Sequence, residues 1–264
     1  MTSERPAGTS DRPAGTTRDA VLGGRVTLIQ PRAGYRAAID PILLAASVDA
    51  HAGDVVVDLG CGVGTAGLCL AVRSPGVSII GLEKQTAYAL LAGLGAAATG
   101  VQDRMAIVAG CVGAGTMASG PIAPGTADRV MTNPPYAESG HGRSPRADRA
   151  MSMAEGDIDL RAWIAAAHRL LKPRGWLSII HRADRIADII ATLAPRFGAI
   201  AIHPIYSRHG DSARRVIVHA RRDVKTPASI AAGLVLHEAD GGFTPAALRI
   251  LNDAQPLEEN AGRR

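Results

Sequence analysis

The chain has 264 residues, enough for one large domain or two small ones and for a substantial buried core. Hydrophobic residues make up 47%, aromatics only 3%, and there are 30 glycines; this balance is typical of a soluble α/β protein, and no apolar run is long enough to span a bilayer. A net charge of +5 permits a nucleic-acid partner without requiring one, and Cys61, Cys69 and Cys111 lack metal-ligand spacing and cannot all pair, so a reducing, cytoplasmic setting without a bound metal is expected.

Residues 1–20 contain Arg5-Pro6-Ala7-Gly8-Thr9, repeated as Arg12-Pro13-Ala14-Gly15-Thr16. Such a segment has nothing to bury and reads as a disordered tail. The main domain is expected over 21–222, with 223–264 as a C-terminal appendage and tail. Val21 to Gln30 alternates weakly and suggests a short hairpin, followed by a loop over 31–36. A helix then starts near Ile39, where Asp40 suits an N-cap and Pro41 the first helical position. Asp40 could instead lie over a ligand's carboxyl end or near a target amino group.

Val55-Val56-Val57 is a short apolar run of the buried parallel-strand kind. It leads into Asp58-Leu59-Gly60-Cys61-Gly62-Val63-Gly64-Thr65 and an apolar helix to about Val72. Gly60, Gly62 and Gly64 let backbone N–H groups approach a ligand closely, though their spacing is not the dinucleotide-binding pattern. Asp58 is the informative difference: a carboxylate there repels phosphate and welcomes an ammonium or hydroxyl. The next strand, Val77 to Leu82, ends in Glu83, placed either to accept two ribose hydroxyls or to face solvent. A helix over 86–99 and a third strand over Met105–Ala109, ending in Gly110-Cys111, complete the first half.

After a Gly/Ala/Pro linker comes Asp128-Arg129-Val130-Met131-Thr132-Asn133-Pro134-Pro135-Tyr136. Val130 and Met131 read as the end of a buried strand, and two prolines stop the sheet. Both Asn133 and Pro134 precede a proline and are held extended. The Asn133 side chain and Pro134 carbonyl are then two acceptors beside the Tyr136 ring, and a planar amino group conjugated to a ring would fit them. A plain strand-ending turn is the alternative. Residues 137–153, with Arg143, Arg146 and Arg149, are too polar to bury and read as a substrate loop.

An amphipathic helix follows over 159–171, with Trp163 in its apolar face, then a turn at 172–175, a strand over 176–181 and a helix over 182–194. Residues 199–203 and 216–220 look like a final antiparallel pair. Their connection carries Tyr206, Arg208, His209, Arg214 and Arg215, which suits phosphate and base contacts or an ordinary solvated hairpin. Strands alternating with helices imply a parallel sheet with right-handed crossovers, and ligands bind such sheets beyond the strands' carboxyl ends. Asp58, Glu83, Cys111 and Asn133 fall along that one rim.

Asp58-x-Gly60-x-Gly62-x-Gly64, Glu83 and Asn133-Pro134-Pro135-Tyr136 resemble the class I methyltransferases that use S-adenosylmethionine and modify exocyclic or amide nitrogens. The entry segment Gln30-Pro31-x-x-Gly34-Tyr35-Arg36-x-Ala38-Ile39-Asp40-Pro41-x-Leu43-Leu44 is similar to bacterial tRNA adenine N-6 methyltransferases of the valine-tRNA type. The resemblance implies a Rossmann-like α/β fold, with a mostly parallel seven-stranded sheet, a C-terminal antiparallel hairpin and helices on both faces. It implies S-adenosyl-L-methionine as cofactor, held by Asp58, Gly60, Cys61, Gly62, Gly64, Glu83, Lys84, Cys111 and Asn133. Asn133, Pro134 and Tyr136 would be catalytic; Asp40, Pro135, Tyr136, Arg143, Arg208, Arg214 and Arg215 would meet the substrate.

The implied activity is methylation of an adenine amino nitrogen in RNA, tRNA above all. A protein glutamine amide, a guanine N-2 of ribosomal RNA, or RNA binding without turnover are the alternatives. One departure stands out: many members of that family carry an acid after the third strand for the cofactor's adenine, where this chain has Gly110-Cys111. Gln102, Asp103, or backbone and water must then serve.

Overall fold

The computed structural model describes residues 13–33, 36–112, 122–135 and 160–257. The chain opens in an antiparallel hairpin, β1 (Thr16–Val21) and β2 (Val26–Pro31). β1 therefore begins inside the stretch expected to be a tail. What holds it is its partner: β2 buries Val26, Leu28 and Ile29, and Thr27 N–H donates to Thr99 Oγ1 at 3.1 Å. The strap is anchored on the helix behind it.

From α1 (Asp40–Ser47) the chain alternates: β3 (Val55–Leu59), α2 (Thr65–Arg73), β4 (Ser78–Glu83), α3 (Thr86–Thr99), β5 (Met105–Ala109) and β6 (Ala127–Thr132). Then come α4 (Leu160–Leu170), β7 (Leu171–Arg182), α5 (Ile186–Leu193), β8 (Phe197–Arg208) and β9 (Ala213–Arg222). The strand order is β5-β4-β3-β6-β7-β9-β8, parallel except that β9 runs against both its neighbours. Alternate residues of one strand feed opposite cores. Val56, Ile180 and Ile217 lie in the core that includes Leu68 and Leu70 of α2 and Leu43 and Leu44 of α1. Val57, Ile179 and Val218 face Ile164 and Leu170 of α4 and Ile189 of α5. Helices on both faces follow from strands apolar on both faces.

The amino end of the sheet is pinned by charge. Asp128 Oδ2 accepts the Val55 N–H at 2.9 Å while both carboxylate oxygens take Lys172 Nζ at 2.7 and 2.8 Å. Burial pushes the Asp128 carboxyl up, but Lys172 and the Val55 amide outweigh it and hold the group below its ordinary value. The expected turn at 172–175 lies within β7 as an irregularity. Pairing jumps from Ala127–Leu171 to Arg129–Trp176, with Arg174 at φ +63°.

The sheet has nine strands, not seven. β10 (Ser229–Ile230) and β11 (Leu234–His237) both add to the outer edge of β8. After them α6 (Pro245–Leu251) starts on a Thr244 cap whose hydroxyl accepts from Ala247 N–H at 3.1 Å. It buries Ala247, Ile250 and Leu251 in the core shared with α1, and Leu257 N–H donates to Ala46 carbonyl at 2.8 Å. The stretch expected as a C-terminal appendage thus packs on the body through the edge of β8 and the core around α1; short strands gain from an existing edge what their own sequence does not supply.

Truncation of Ile250, which is 3% exposed, should therefore cost about 3 kcal/mol, the usual scale for emptying a core site. Urea denaturation of Ile250→Ala checks this: a lower midpoint at constant slope is expected, whereas a loosely attached appendage would leave the midpoint unmoved.

Candidate active site at the carboxyl rim of the sheet

From β3 the chain winds outward through β4 and β5 on one side and β6 and β7 on the other. The crevice between β3 and β6 is the switch point where such sheets bind ligands. Asp58 pairs with Met131 and Leu59 with Thr132, so Gly60 and Asn133 leave the sheet side by side. Thr132 Oγ1 donates to Leu59 carbonyl at 2.8 Å and fastens the two strand ends. The glycine turn and the proline corner are brought together as the sequence predicted.

Both rim acids are engaged with backbone. Asp58 Oδ2 accepts the Gly67 N–H in the first turn of α2 at 3.0 Å. Glu83 Oε2 accepts Gly62 N–H and its Oε1 accepts Gln85 N–H, each at 2.8 Å. Burial raises the Asp58 carboxyl to about 7; the Gly67 amide opposes this and the nearby Glu83 adds to it. Gly60, Gly62 and Gly64 have φ of +75°, +56° and +83°, in the left-handed region where a side chain is strained. Gly60 and Cys61 both donate their N–H to Leu82 carbonyl, at 2.8 and 3.0 Å.

A Cβ on Gly60 would fall 2.4 Å from Cη2 of Trp163. Trp163, legible in the sequence only as part of an apolar helical face, is thus the underside of the glycine turn. Cys61 is buried, its thiol pushed well up by burial and then by Asp58 and Glu83, whereas Lys84 is exposed. Gly110 N–H donates to Glu83 carbonyl at 2.8 Å, and Cys111 sits half-buried just past β5. Asn133 is half-buried, Pro134 buried and Pro135 exposed. Tyr136, Arg143 and the expected substrate loop lie outside the described residues.

Two expectations are revised. α1 begins at Asp40 itself, with Ile39 at the cap position and no side-chain capping bond. The Asp40 carboxylate is turned instead to Arg215 on β9, whose Nε lies 2.6 and 2.7 Å from its two oxygens. Arg215, expected to meet RNA, is committed to that buried carboxylate, because leaving Asp40 unpaired would be costly. Arg208 and Arg214, by contrast, are exposed at the β8–β9 turn on the same rim. The entry segment is fastened to the hairpin: Gln30 Oε1 accepts Ala37 N–H at 2.8 Å, and Arg36 pairs with Asp19 at 2.9 Å.

Asp58 has a stability consequence. Its folded value of about 7 exceeds the ordinary 3.8, so the folded state holds a proton that the unfolded state has released. The contribution is fully present below about pH 4 and is lost as pH rises to about 7, roughly 4 kcal/mol at most. Asp58→Asn cannot ionise but keeps an acceptor for Gly67. Denaturant titrations at about pH 5 and about pH 8 should show the variant gaining on wild type at the higher pH, and an equal gap at both would mean the carboxyl is not held neutral.

Comparison with known proteins places this geometry. A methyltransferase small domain model matches residues 39–203. The tRNA1(Val) (adenine(37)-N6)-methyltransferase of Aeromonas hydrophila is 29% identical over 217 residues, covering 81% of this chain and 87% of that protein. The 4-amino-L-phenylalanine/4-methylamino-L-phenylalanine methyltransferase of Streptomyces pristinaespiralis is 33% identical over 144 residues, covering 52% of this chain and 47% of that protein. A crystal structure from Agrobacterium tumefaciens, described as a predicted O-methyltransferase, superposes with a TM-score of 0.70 at 25% identity, covering 84% of this chain and all of that one. The fold, the crevice at the switch point and the length of the family match together make this chain a member of the methyltransferase small domain family.

Proposed function

We propose that the protein transfers a methyl group from S-adenosyl-L-methionine to the exocyclic amino nitrogen of an adenine in tRNA. The observation that carries the reading is the side-by-side exit of Gly60 and Asn133 from paired strands. The rim fits the donor: three left-handed glycines expose backbone, and Asp58 and Glu83 supply buried acceptors within one turn of it. Asp58, Gly60, Cys61, Gly62, Gly64 and Glu83 would hold it, with Lys84, Cys111 and Asn133 at its edges. When bound, it supplies an activated methyl group on a sulfonium.

The chain's own residues act on the target. An adenine amino nitrogen is a weak nucleophile because its lone pair is delocalised into the ring. Acceptance of its two hydrogens by the Asn133 side chain and the Pro134 carbonyl favours the pyramidal nitrogen and frees that lone pair. Pro135 and Tyr136 would bound the base, with Asp40, through its pair with Arg215, shaping the crevice wall. An adenine in a loop reaches such a corner at less cost than one stacked in a duplex.

The Aeromonas relative's name supplies the tRNA, and exposed Arg208 and Arg214, with Arg143, would meet its phosphates. That substrate would set the enzyme to work in the cytoplasm; no described helix is long and apolar enough to cross a membrane. The Streptomyces relative favours a second reading, a small aromatic amine, since that also presents a conjugated NH2.

Incubation with tritiated donor and total tRNA, ribosomal RNA, protein or aromatic amines separates the readings. Label in tRNA recovered as N6-methyladenosine is expected; label in another fraction alone would remove the tRNA reading. Asn133→Ala should lower turnover about a hundredfold, the scale of losing one aligned polar contact, with a far smaller effect on S-adenosylhomocysteine affinity. Undiminished turnover would rule out the amino-acceptor role. Neutralising Arg208 and Arg214 to Gln should weaken tRNA binding and flatten its salt dependence by about one unit of slope per lost phosphate contact, measured by filter binding across salt concentrations. An unaltered slope would return that turn to ordinary solvated surface.

A further inference from the structure

The outer edge of the sheet carries aromatic rings that no core takes up. The chain has two phenylalanines; Phe197 is buried, whereas Phe243 is 37% exposed. An isolated antiparallel bridge sets Phe243 opposite His237 on β11, and the two rings stack with centroids 4.7 Å apart and planes 25° from parallel. β11 lies parallel on β8, pairing Val235 with Tyr206 and His237 with Arg208. Side chains alternate along a strand. Leu234 and Leu236 enter the core shared with α1, so Val235 and His237 take the opposite face, with Tyr206 and Arg208 beside them. The Tyr206 ring rests against Gly233, where a Cβ would come 2.8 Å from its Cε2. Among the described residues no core includes Tyr206, Val235, His237 or Phe243.

This face joins ring planes to an uncommitted cation. Arg208 has no ion pair among the described residues, and its Nη2 lies 4.0 Å from where a Cβ on Gly241 would stand, in the turn that leads into Phe243. Glu238 and Asp240 are exposed in that same turn and Asp211 in the β8–β9 turn, with Asp240 Oδ1 accepting the Gly242 N–H at 2.9 Å. These acids offset Arg208 and Arg214, so the patch offers a stacking surface more than a pole for phosphate. Rings on an open sheet with an arginine at their border suit an unpaired nucleobase, because every base has a face to stack. β11 follows the direction of β8 and so ends on the same rim as Asn133. Four strand spacings, β6-β7-β9-β8-β11, separate the two, about 19 Å in all. We propose that Phe243, stacked on His237 beside Tyr206 and Arg208, receives an unpaired base of the RNA substrate at a distance from the target adenine. This rests on the tRNA reading above and gives a binding surface to the stretch whose polarity suggests only an appendage.

Filter binding of the full chain to total tRNA tests the proposal. Phe243→Leu keeps an apolar group against His237 and removes the ring. It should weaken tRNA binding about tenfold, the scale of losing one base–aromatic stack, and leave the salt slope unchanged because no phosphate contact is lost. Phe243→Tyr should retain wild-type affinity, and S-adenosylhomocysteine should bind Phe243→Leu as it binds wild type. Added tRNA should quench the indole introduced by Phe243→Trp beyond any change in wild type, whose own tryptophans are Trp163 and Trp176. Equal affinity of Phe243→Leu and wild type for total tRNA, or no added quench in Phe243→Trp, would overturn the inference and leave the tRNA reading standing. A wild-type dimer that Phe243→Leu converts to monomer in sedimentation would assign the patch to a second copy of the chain and likewise overturn it. Failure of folded wild type to bind tRNA at all would remove the tRNA reading, and this inference with it.

Discussion

The parallel pairing of β3 with β6 is the contact on which the candidate site depends. A strand slipped by one residue would send every side chain to the opposite face and carry Asn133 away from Gly60. The register is fixed at both ends by polar groups that the apolar pattern alone would not require. At the amino end Asp128 takes the Val55 amide, and Arg129 pairs with Asp54 at 2.9 Å. At the carboxyl end the Thr132 hydroxyl donates to Leu59 carbonyl. Between these clamps Val57 and Val130 are wholly buried, so the pairing resists local opening where the crevice needs a rigid floor.

Given that floor, the glycine turn is shaped before any ligand arrives. Glu83 reaches from β4 to hold Gly62, Asp58 holds the start of α2, and Trp163 closes the underside of Gly60. Neutral groups could have made the same backbone bonds. An aspartate buried deeply enough to be raised to about 7 costs stability, and the acceptor for Gly67 does not explain that cost. On the proposed reading the acid earns its place by favouring a cationic ligand, and strain tolerated at a site is a common sign of such a role.

The sequence made the central architecture legible because its signals there are redundant. β3, β4 and β5 are short apolar runs ending in an acid or a glycine, and α3 spans Thr86–Thr99 as its composition indicates. Legibility failed where an element depends on a distant partner. β1 looks disordered until β2 pairs with it, and β11 with α6 looks like an appendage until β8 and α1 receive them. Asp40 resembled a cap because Asp-Pro opens many helices; only the fold reveals Arg215 on β9 beside it. Trp163 was legible only in part, for another reason. An indole on an apolar stripe is ordinary in sequence, and only its place beneath Gly60 makes it unusual.

Charge shows the same limit from the opposite direction. A net charge of +5 says little about where an anion would bind, because many cations are already committed. Arg215 is tied to Asp40, Arg129 to Asp54, Arg36 to Asp19, Lys172 to Asp128 and Arg185 to Asp188. Each of those pairs positions a strand, a helix or the entry segment, and its field is largely cancelled at a distance. Arg208 and Arg214 have no ion pair among the described residues and stand exposed where β8 ends and β9 begins. Because β9 runs antiparallel to β8, that turn lies on the same rim as Gly60 and Asn133. A polyanion guided by uncancelled charge would therefore be brought toward the crevice between β3 and β6, and location, not total charge, is what links the basic composition to the proposed substrate.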